Sequence, residues 1–473
     1  MGAPRGAGVI PYWVAGRPVT GPLPLATRAG TASWASEAHV EHAVAAAWAA
    51  RGLRTPARVR ADALAHVSAA LAARAEEAAA LITAESGKPI RWSRAEITRA
   101  VATFRWGAEE ARRFSGTVQR LDTDAGSDGR VALVRRVARG PVLGITPFNF
   151  PVNLVAHKLA PAIAAGAPVV IKPAPATPLS ALFLGSLLAE TDLPEGTWSV
   201  LPVPNADAAR LAADPRLPVV SFTGSDRVGH LIRDANPAKH VLLELGGNAA
   251  AVVCPDWTDL AWAAERIADM GTYQAGQSCV SVQRVYAHRE VYGELVEALR
   301  ARMSALSVGD PRDPATHVGP LIDDAAAARV ADWIADAVSR GATLLAGGTR
   351  TGRTVAPTLL ADVPDGCAVL TEEVFGPVVV VSRVDSLDEA IARVNASRYG
   401  LQAGVFTHDL RVVDRVAAEL EVGGVIIGDV PTYRADQMPY GGVKDSGTGR
   451  EGVAAAMEDL TEPRVLVMRG LGY

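Results

Sequence analysis

The chain has 473 residues, 49% apolar and 21% charged, with a formal net charge of -4. That length predicts two or three domains with sizeable cores, and the charge balance gives no reason to expect a nucleic-acid partner. No run of about twenty uninterrupted apolar residues is present, so no membrane-spanning helix is expected, and three widely spaced cysteines argue against a disulfide framework and for a reducing, cytoplasmic setting.

The opening Met-Gly-Ala-Pro-Arg-Gly has no apolar signal core and carries Gly6 where a myristoylation signal wants Ser or Thr. Residues 1–35, rich in Gly, Pro and Thr, read as an irregular lead-in with short strands. Ala-rich segments with apolar residues at helical spacing predict helices over 40–50, 58–85 and 94–115. Residues 117–140 alternate, end at Gly140-Pro141, and read as a ribbon projecting from a helical body, or as an ordinary edge hairpin.

From Pro141 to Leu245 the pattern is strand, turn, helix, repeated. Strands are expected at 142–146, 168–172, 198–203 and 219–223, which is the rhythm of a parallel sheet with crossover helices. Ligands of such a sheet sit beyond its carboxyl ends. Lys172 closes one strand, and Thr223-Gly224-Ser225 closes another and opens a helix whose first turns, through Gly229, would offer N–H groups to a phosphate. A glycine there is a weak signal alone, and the usual G-x-G-x-x-G is absent.

Glu244 follows, a carboxylate inside an apolar strand that runs into Gly246-Gly247. Burial raises the pKa of such a group, which suits a general base, although an ion-pair partner reads equally well. Thirty-five positions later Cys279 sits in a Gly-containing loop before an alternating segment. A thiolate is the strongest carbonyl nucleophile a side chain offers near neutral pH, whereas a free cysteine is also often buried and inert. A second sheet-and-helix region is expected from about 249 to 444, with a helix at 325–339 and two acids, Glu372 and Glu373, beside a Phe375-Gly376-Pro377 turn. Those acids could bind hydroxyls and Phe375 could stack a flat ring. The tail, 462–469, alternates again and could pair with the ribbon or with another subunit. Nine histidines never fall into a Cys/His ligand spacing, so no metal is expected.

Six motifs then stand in order: Pro147-Phe148-Asn149-Phe150-Pro151, Phe222-Thr223-Gly224-Ser225, Glu244-Leu245-Gly246-Gly247, Gly276-Gln277-Ser278-Cys279, Glu372 to Pro377, and Gly441 to Gly447. Together they resemble the aldehyde dehydrogenase superfamily over almost the whole chain. The resemblance implies an α/β fold: a Rossmann-like NAD(P)-binding domain (1–118 and 141–246), an α/β catalytic domain (247–445), and an oligomerisation ribbon (119–140) with a C-terminal strand (446–473) added to a neighbouring subunit's sheet. A homodimer or homotetramer is the implied assembly.

By the same resemblance Cys279 attacks the aldehyde, the Asn149 amide and the Cys279 N–H hold the oxyanion, and Glu244 activates the water that cleaves the thioester. Oxyanion donors of this kind contribute roughly 2.7–4 kcal/mol each. Lys158 and Glu451 match a proton-relay pair behind that base. Lys172 and Glu373 match the residues on the two riboses, Ser225 the pyrophosphate contact and Phe375 the neighbour of the nicotinamide. Ile145, Thr146, Pro147, Phe148, Gly224, Gly229, Leu245 and Gly246 complete the implied cofactor wall. Pro175 stands where NAD-selective members usually carry Glu, so NAD is expected and NADP is compatible. Gln274 stands where Asn is frequent, at a place remote from the reacting atoms.

Three positions that are aromatic or aliphatic in members acting on neutral aldehydes are here Arg99, His157 and Arg434, with Ser278 directly before the nucleophile. Converging cations are costly unless an anion is expected. The wording around Arg434 and His157 is similar to the branch holding lactaldehyde, phosphonoacetaldehyde and sulfolactaldehyde dehydrogenases, which implies a small anionic aldehyde as substrate. Pairing of the basic residues with Glu96 and Asp436 is the alternative. A carboxylate-bearing semialdehyde or glyceraldehyde 3-phosphate is the rival substrate, and Glu244 argues against a coenzyme-A-acylating relative, which would not need the base.

Overall fold

The computed structural model describes residues 8–470, and the opening hexapeptide read for targeting signals lies outside them. The first helix, Glu37–Ala50, begins where the Ser36 side chain accepts from the His39 N–H at 3.2 Å, satisfying one orphan donor of the first turn. The single helix expected over 58–85 is two, Ala57–Ala73 and Ala75–Ser86, because Arg74 leaves helical geometry at φ -109° and ψ 26°. No Gly or Pro marks that break. Ile90–Arg113 buries Ile97, Ala100, Phe104, Ala108 and Ala111 along one stripe and packs on Ala57–Ala73 and on Asn153–Ala165.

The first sheet has eight strands in the order Arg17–Val19, Tyr12–Val14, Trp198–Val200, Val169–Lys172, Val142–Ile145, Val219–Thr223, His240–Glu244 and Gly447–Thr448. Its five central strands are parallel. From Val142–Ile145 the chain steps outward on one side, then returns to build Val219–Thr223 on the other. The strand order therefore reverses between those two, and the crevice beyond their carboxyl ends is where such sheets hold ligands.

The second sheet runs Thr343–Ala346, Thr358–Ala361, Val378–Val384, Arg284–His288, Ala250–Val253, Gln402–Phe406 and Gly424–Ile427. All its pairings are parallel except that of the edge strand Thr343–Ala346. Helices cover both faces, which is why Val378–Val384 reads as a nearly continuous apolar run.

The boundary expected at the chain's end differs from what is observed. Gly447–Thr448 closes the first sheet against His240–Glu244, and the helix Val453–Leu460 places Val453, Met457 and Leu460 in that sheet's core. Residues 446–460 thus belong with the first body, and only Thr461–Arg469 joins the ribbon. That strand pairs with this chain's own Arg130–Ala138 over nine residues, one of the two pairings its alternation allowed. An antiparallel register of that length already engages its inner edge. The free edges of this three-stranded sheet are Gly116–Arg120, exposed throughout, and the outer side of Thr461–Arg469.

Candidate active site

The loop before Cys279 is held in an uncommon backbone conformation. Gln274, Ala275 and Gly276 are successive left-handed residues with φ of 55°, 57° and 71°, and each non-glycine among them costs on the order of 1–3 kcal/mol. The turn seats Gly276 against the Phe375-Gly376-Pro377 turn so closely that a Cβ would lie 2.0 Å from the Gly376 carbonyl oxygen. The Gln274 side-chain amide offsets part of this strain by donating to the carbonyls of Asn149 and Gln277. Gln274 therefore ties the Cys279 loop to Asn149, a role that its motif did not disclose. The Asn149 amide donates to the Gln277 carbonyl at 3.0 Å, which leaves its second hydrogen for another acceptor.

Cys279, Asn149 and Glu244 line one cavity of about 340 Å³ at the switch point of the first sheet. Burial pushes the Cys279 thiol up to about 12, so the resting group is a thiol. Its hydrogen-bond partner is the Tyr440 hydroxyl at 3.1 Å. Glu244 ends its strand with both carboxyl oxygens buried and unpartnered. Burial first, then the Glu451 charge, raise it well above the ordinary carboxylate range. That is the environment of a base poised for work near neutral pH.

Behind Glu244 lies a buried charge cluster. Lys158 donates to Ser221 Oγ at 3.0 Å and Thr223 Oγ1 at 2.8 Å and stands 3.7 Å from Glu451. Arg434 donates to Glu451 at 2.8 Å and lies 3.1 Å from His157 Nε2. Burial would raise Glu451, but Arg434 and Lys158 overcome it and hold the group ionised. Arg99 makes a two-pronged contact with Asp436 at 3.2 and 2.8 Å.

Two of the three expected cations reach the cavity. Arg99 and Arg434 do line the cavity, but each is already paired with a carboxylate. His157 is not in the cavity wall: it is 2% exposed and bonded to Asp436 at 2.9 Å. Burial, then the Arg434 charge, lower its pKa, so it is neutral rather than a cationic clamp. Glu96 pairs with Lys88 and accepts from the N–H groups of Val152 and Asn153, fixing the start of Asn153–Ala165.

Three arginines (Arg99, Arg329, Arg434) and three carboxyl groups (Glu244, Glu373, Glu451) line the cavity. Asp436 and Glu451 offset Arg99 and Arg434, while burial raises Glu244 and pushes Glu373 up to about 7. Arg329 donates to the Val374 carbonyl at 2.9 Å.

The crevice also suits a dinucleotide. Pro147 and Phe148 beyond one strand, Gly224 and Ser225 beyond the next, and Leu245, Gly246, Glu373 and Phe375 opposite them form its wall, with Ser278 beside Cys279. A Cβ on Gly246 would lie 2.9 Å from a Glu373 oxygen, so the glycine keeps that wall open. Glu373 is anchored by the Gly247 N–H at 3.0 Å and keeps its other oxygen free for a hydroxyl. Ser225 caps Asp226–Ala235 without a side-chain bond to the helix. Ile145, Thr146, Lys172, Pro175 and Gly229 lie outside this wall. Lys172, 2% exposed, bonds Asn205, and Gly229 is explained by packing, since a Cβ there would meet Leu245 at 2.4 Å. Sequence reasoning missed Arg329, on the Ala-rich helix Asp324–Ser339, and Tyr440, which directly precedes the Gly441–Gly447 motif and contacts the sulfur.

Residues 16–466 match the profile of the Aldehyde dehydrogenase family. The chain belongs to that family. A 3-sulfolactaldehyde dehydrogenase of Priestia megaterium is 45% identical over 399 residues, covering 84% of this chain and 83% of that protein. Aldehyde dehydrogenase 21 of Physcomitrella patens, in complex with the reaction product succinate, has a TM-score of 0.95 at 41% identity over 98% of both chains. An NADP-dependent glyceraldehyde-3-phosphate dehydrogenase of Bacillus halodurans, complexed with NADP, has a TM-score of 0.93 at 34% identity, covering 98% of this chain and 100% of that one. This aldehyde dehydrogenase is therefore an NAD(P)-dependent oxidoreductase acting on aldehydes. Among the described residues no helix is long and apolar enough to cross a membrane, and no three His, Cys, Asp or Glu gather as metal ligands.

Proposed function

We propose that this enzyme oxidises a small anionic aldehyde, with a sulfonated hydroxyaldehyde as the leading candidate, to the carboxylate. The carrying observation is the pair of guanidinium groups beside Cys279. Arg99 spends Nε and one Nη hydrogen on Asp436 and keeps the rest of its fork, with the side chain 28% exposed. Arg434 has a buried Nε–H with no acceptor, a donor that a sulfonate or carboxylate would satisfy. The 45% identity to a 3-sulfolactaldehyde dehydrogenase supports the sulfonate. The succinate-bound relative favours a carboxylate-bearing semialdehyde as the second reading.

In the proposed reaction Cys279 Sγ bonds to the aldehyde carbon, and the carbonyl oxygen becomes an oxyanion held by the Asn149 amide and the Cys279 N–H. Glu373, Ser225, Phe375 and the glycine-bearing crevice would hold NAD(P), whose nicotinamide would supply the acceptor for the hydride that leaves this carbon. Cys279 then carries a thioester. Glu244 takes a proton from water as the water oxygen attacks, the C–S bond breaks, and the sulfur leaves with the carboxylate free. Lys158 and Glu451 connect Glu244 to the cluster behind it and give the proton a way out.

Arg99→Gln is expected to lower kcat/KM for 3-sulfolactaldehyde about ten- to a hundredfold, the loss of one charge-assisted bond, and to change lactaldehyde by less than about threefold. Equal losses for both aldehydes would make Arg99 structural and remove the anionic-substrate reading.

We also propose a homodimer or homotetramer in a cytoplasmic, reducing setting suited to a free nucleophilic thiol. Val118, Val465, Leu466 and Val467 are 60%, 56%, 52% and 52% exposed on the ribbon sheet, an unpaired apolar edge that invites another chain. Truncation before Thr461 is expected to shift sedimentation to smaller or insoluble species. A parent protein sedimenting as a monomer would contradict this.

A further inference from the structure

Cys279 is half-buried in the cavity wall, and its sulfur has one hydrogen-bond partner. The Tyr440 hydroxyl lies 3.1 Å from it, and the residue is 3% exposed. On the ring's other contact, the Arg434 guanidinium carbon sits 3.8 Å from the ring centroid. The backbone fixes this stack, because Tyr440 exchanges two hydrogen bonds with Glu451, whose carboxylate holds Arg434. Four groups are thereby linked: Glu451, Arg434, the Tyr440 ring and the sulfur.

We propose that Tyr440 is a catalytic residue: its O–H donates to the Cys279 thiolate as that thiolate forms, and the Arg434 cation on its ring face aims and strengthens the donor. A cation over a phenol draws electron density from the ring and makes its O–H a better donor. The proposal rests on Cys279 as the nucleophile and adds a second residue to it.

The proton balance is simple. The Cys279 S–H bond breaks and its proton passes through the cavity to the ionised Glu244 carboxylate, which hands it on past Lys158 and Glu451 before it takes the proton of the attacking water. The sulfur pair then forms the C–S bond, and Tyr440 gives up its bond to sulfur as the new one forms. Tyr440 keeps its own proton throughout, because burial first and then Cys279 raise its pKa well above the phenol range. The other charged or titratable groups facing the sulfur or the phenol are Glu244, Glu373, Arg434 and Tyr273. The two carboxyls oppose the thiolate, and Arg434 and Tyr440 favour it. Tyr440 is therefore the neutral group whose removal leaves the local charge unchanged and still moves the thiol.

The test reads the sulfur directly. The rate of Cys279 alkylation by iodoacetamide, followed by peptide mass, is measured against pH for the parent and for Tyr440→Phe. The variant is expected to move the profile up by about one pH unit and to slow alkylation at pH 7.5 about tenfold, with NAD binding unchanged. Arg434→Met is expected to move the profile in the parent background and to move it less in the Tyr440→Phe background. Superimposed profiles for parent and Tyr440→Phe overturn the proposal, as does an Arg434→Met shift that is the same in both backgrounds. Should Tyr440→Phe fail to bind NAD, fluorotyrosine incorporation, which acidifies the phenol, is expected to move the Cys279 profile to lower pH, and an unmoved profile overturns the proposal. Alkylation is independent of turnover, so loss of the nucleophile assignment itself shows separately, as activity surviving in Cys279→Ala.

Discussion

Cys279→Ala is expected to cut NAD(P)H formation by about 10⁴-fold or more while leaving cofactor affinity within a few-fold of the parent. Cys254 and Cys367 are buried in the cores of the second body, and Cys279 alone among the cysteines lines the cavity with Asn149 and Glu244. The side chain of Cys279 is small, and its loop is held by Gln274, Gln277 and the Gly276 turn rather than by the sulfur. The variant should therefore keep its fold. A melting temperature and an NAD titration close to the parent's, with turnover lost, are the expected pair of results. Residual turnover within about a hundredfold of the parent would place the nucleophile elsewhere.

Glu244→Gln is expected to separate the two halves of the reaction. The amide keeps the shape but cannot take a proton from water, so hydride loss should still give one equivalent of NAD(P)H per site before turnover slows by about 10²- to 10⁴-fold. In the parent, the slow step should speed up as pH rises, because the base works only in its ionised form. Burial raises Glu244, so that rise is expected above the ordinary carboxylate range rather than near pH 4. The variant should lack that limb. Steady turnover at the parent rate, with the same pH limb, would show that another group activates the water.

Much of the fold was legible because its signals are local. The strands Val142–Ile145, Val169–Lys172 and Val219–Thr223 lie within a residue or two of where β-rich runs and glycine turns placed them. Lone carboxylates and cysteines gained meaning only from the order of the motifs around them. Arg74 broke a helix in an Ala-rich segment with no Gly or Pro to announce it. His157 was misplaced for a definite reason. Its helix, Asn153–Ala165, is buried on nearly every side, so the phase of a polar residue does not report which face meets the cavity. Asp436 does pair with Arg99 and His157, the alternative its neighbourhood suggested, whereas the pairing of Arg434 with Glu451 joins two loops, where spacing carries no signal. Tyr440 was hidden in the same way. It stands directly before a motif read for its glycines, and only the fold brings its hydroxyl to the sulfur.

If Arg99 and Arg434 select an anionic aldehyde for Cys279, kcat/KM of the unmodified enzyme, measured with NAD and with NADP, separates 3-sulfolactaldehyde from lactaldehyde, its uncharged counterpart. Two charge-assisted contacts at about 1.5–3 kcal/mol each predict a preference for the sulfonated aldehyde of about a hundredfold or more, weakening as salt is raised. A ratio near one, or a preference for lactaldehyde, would contradict the account.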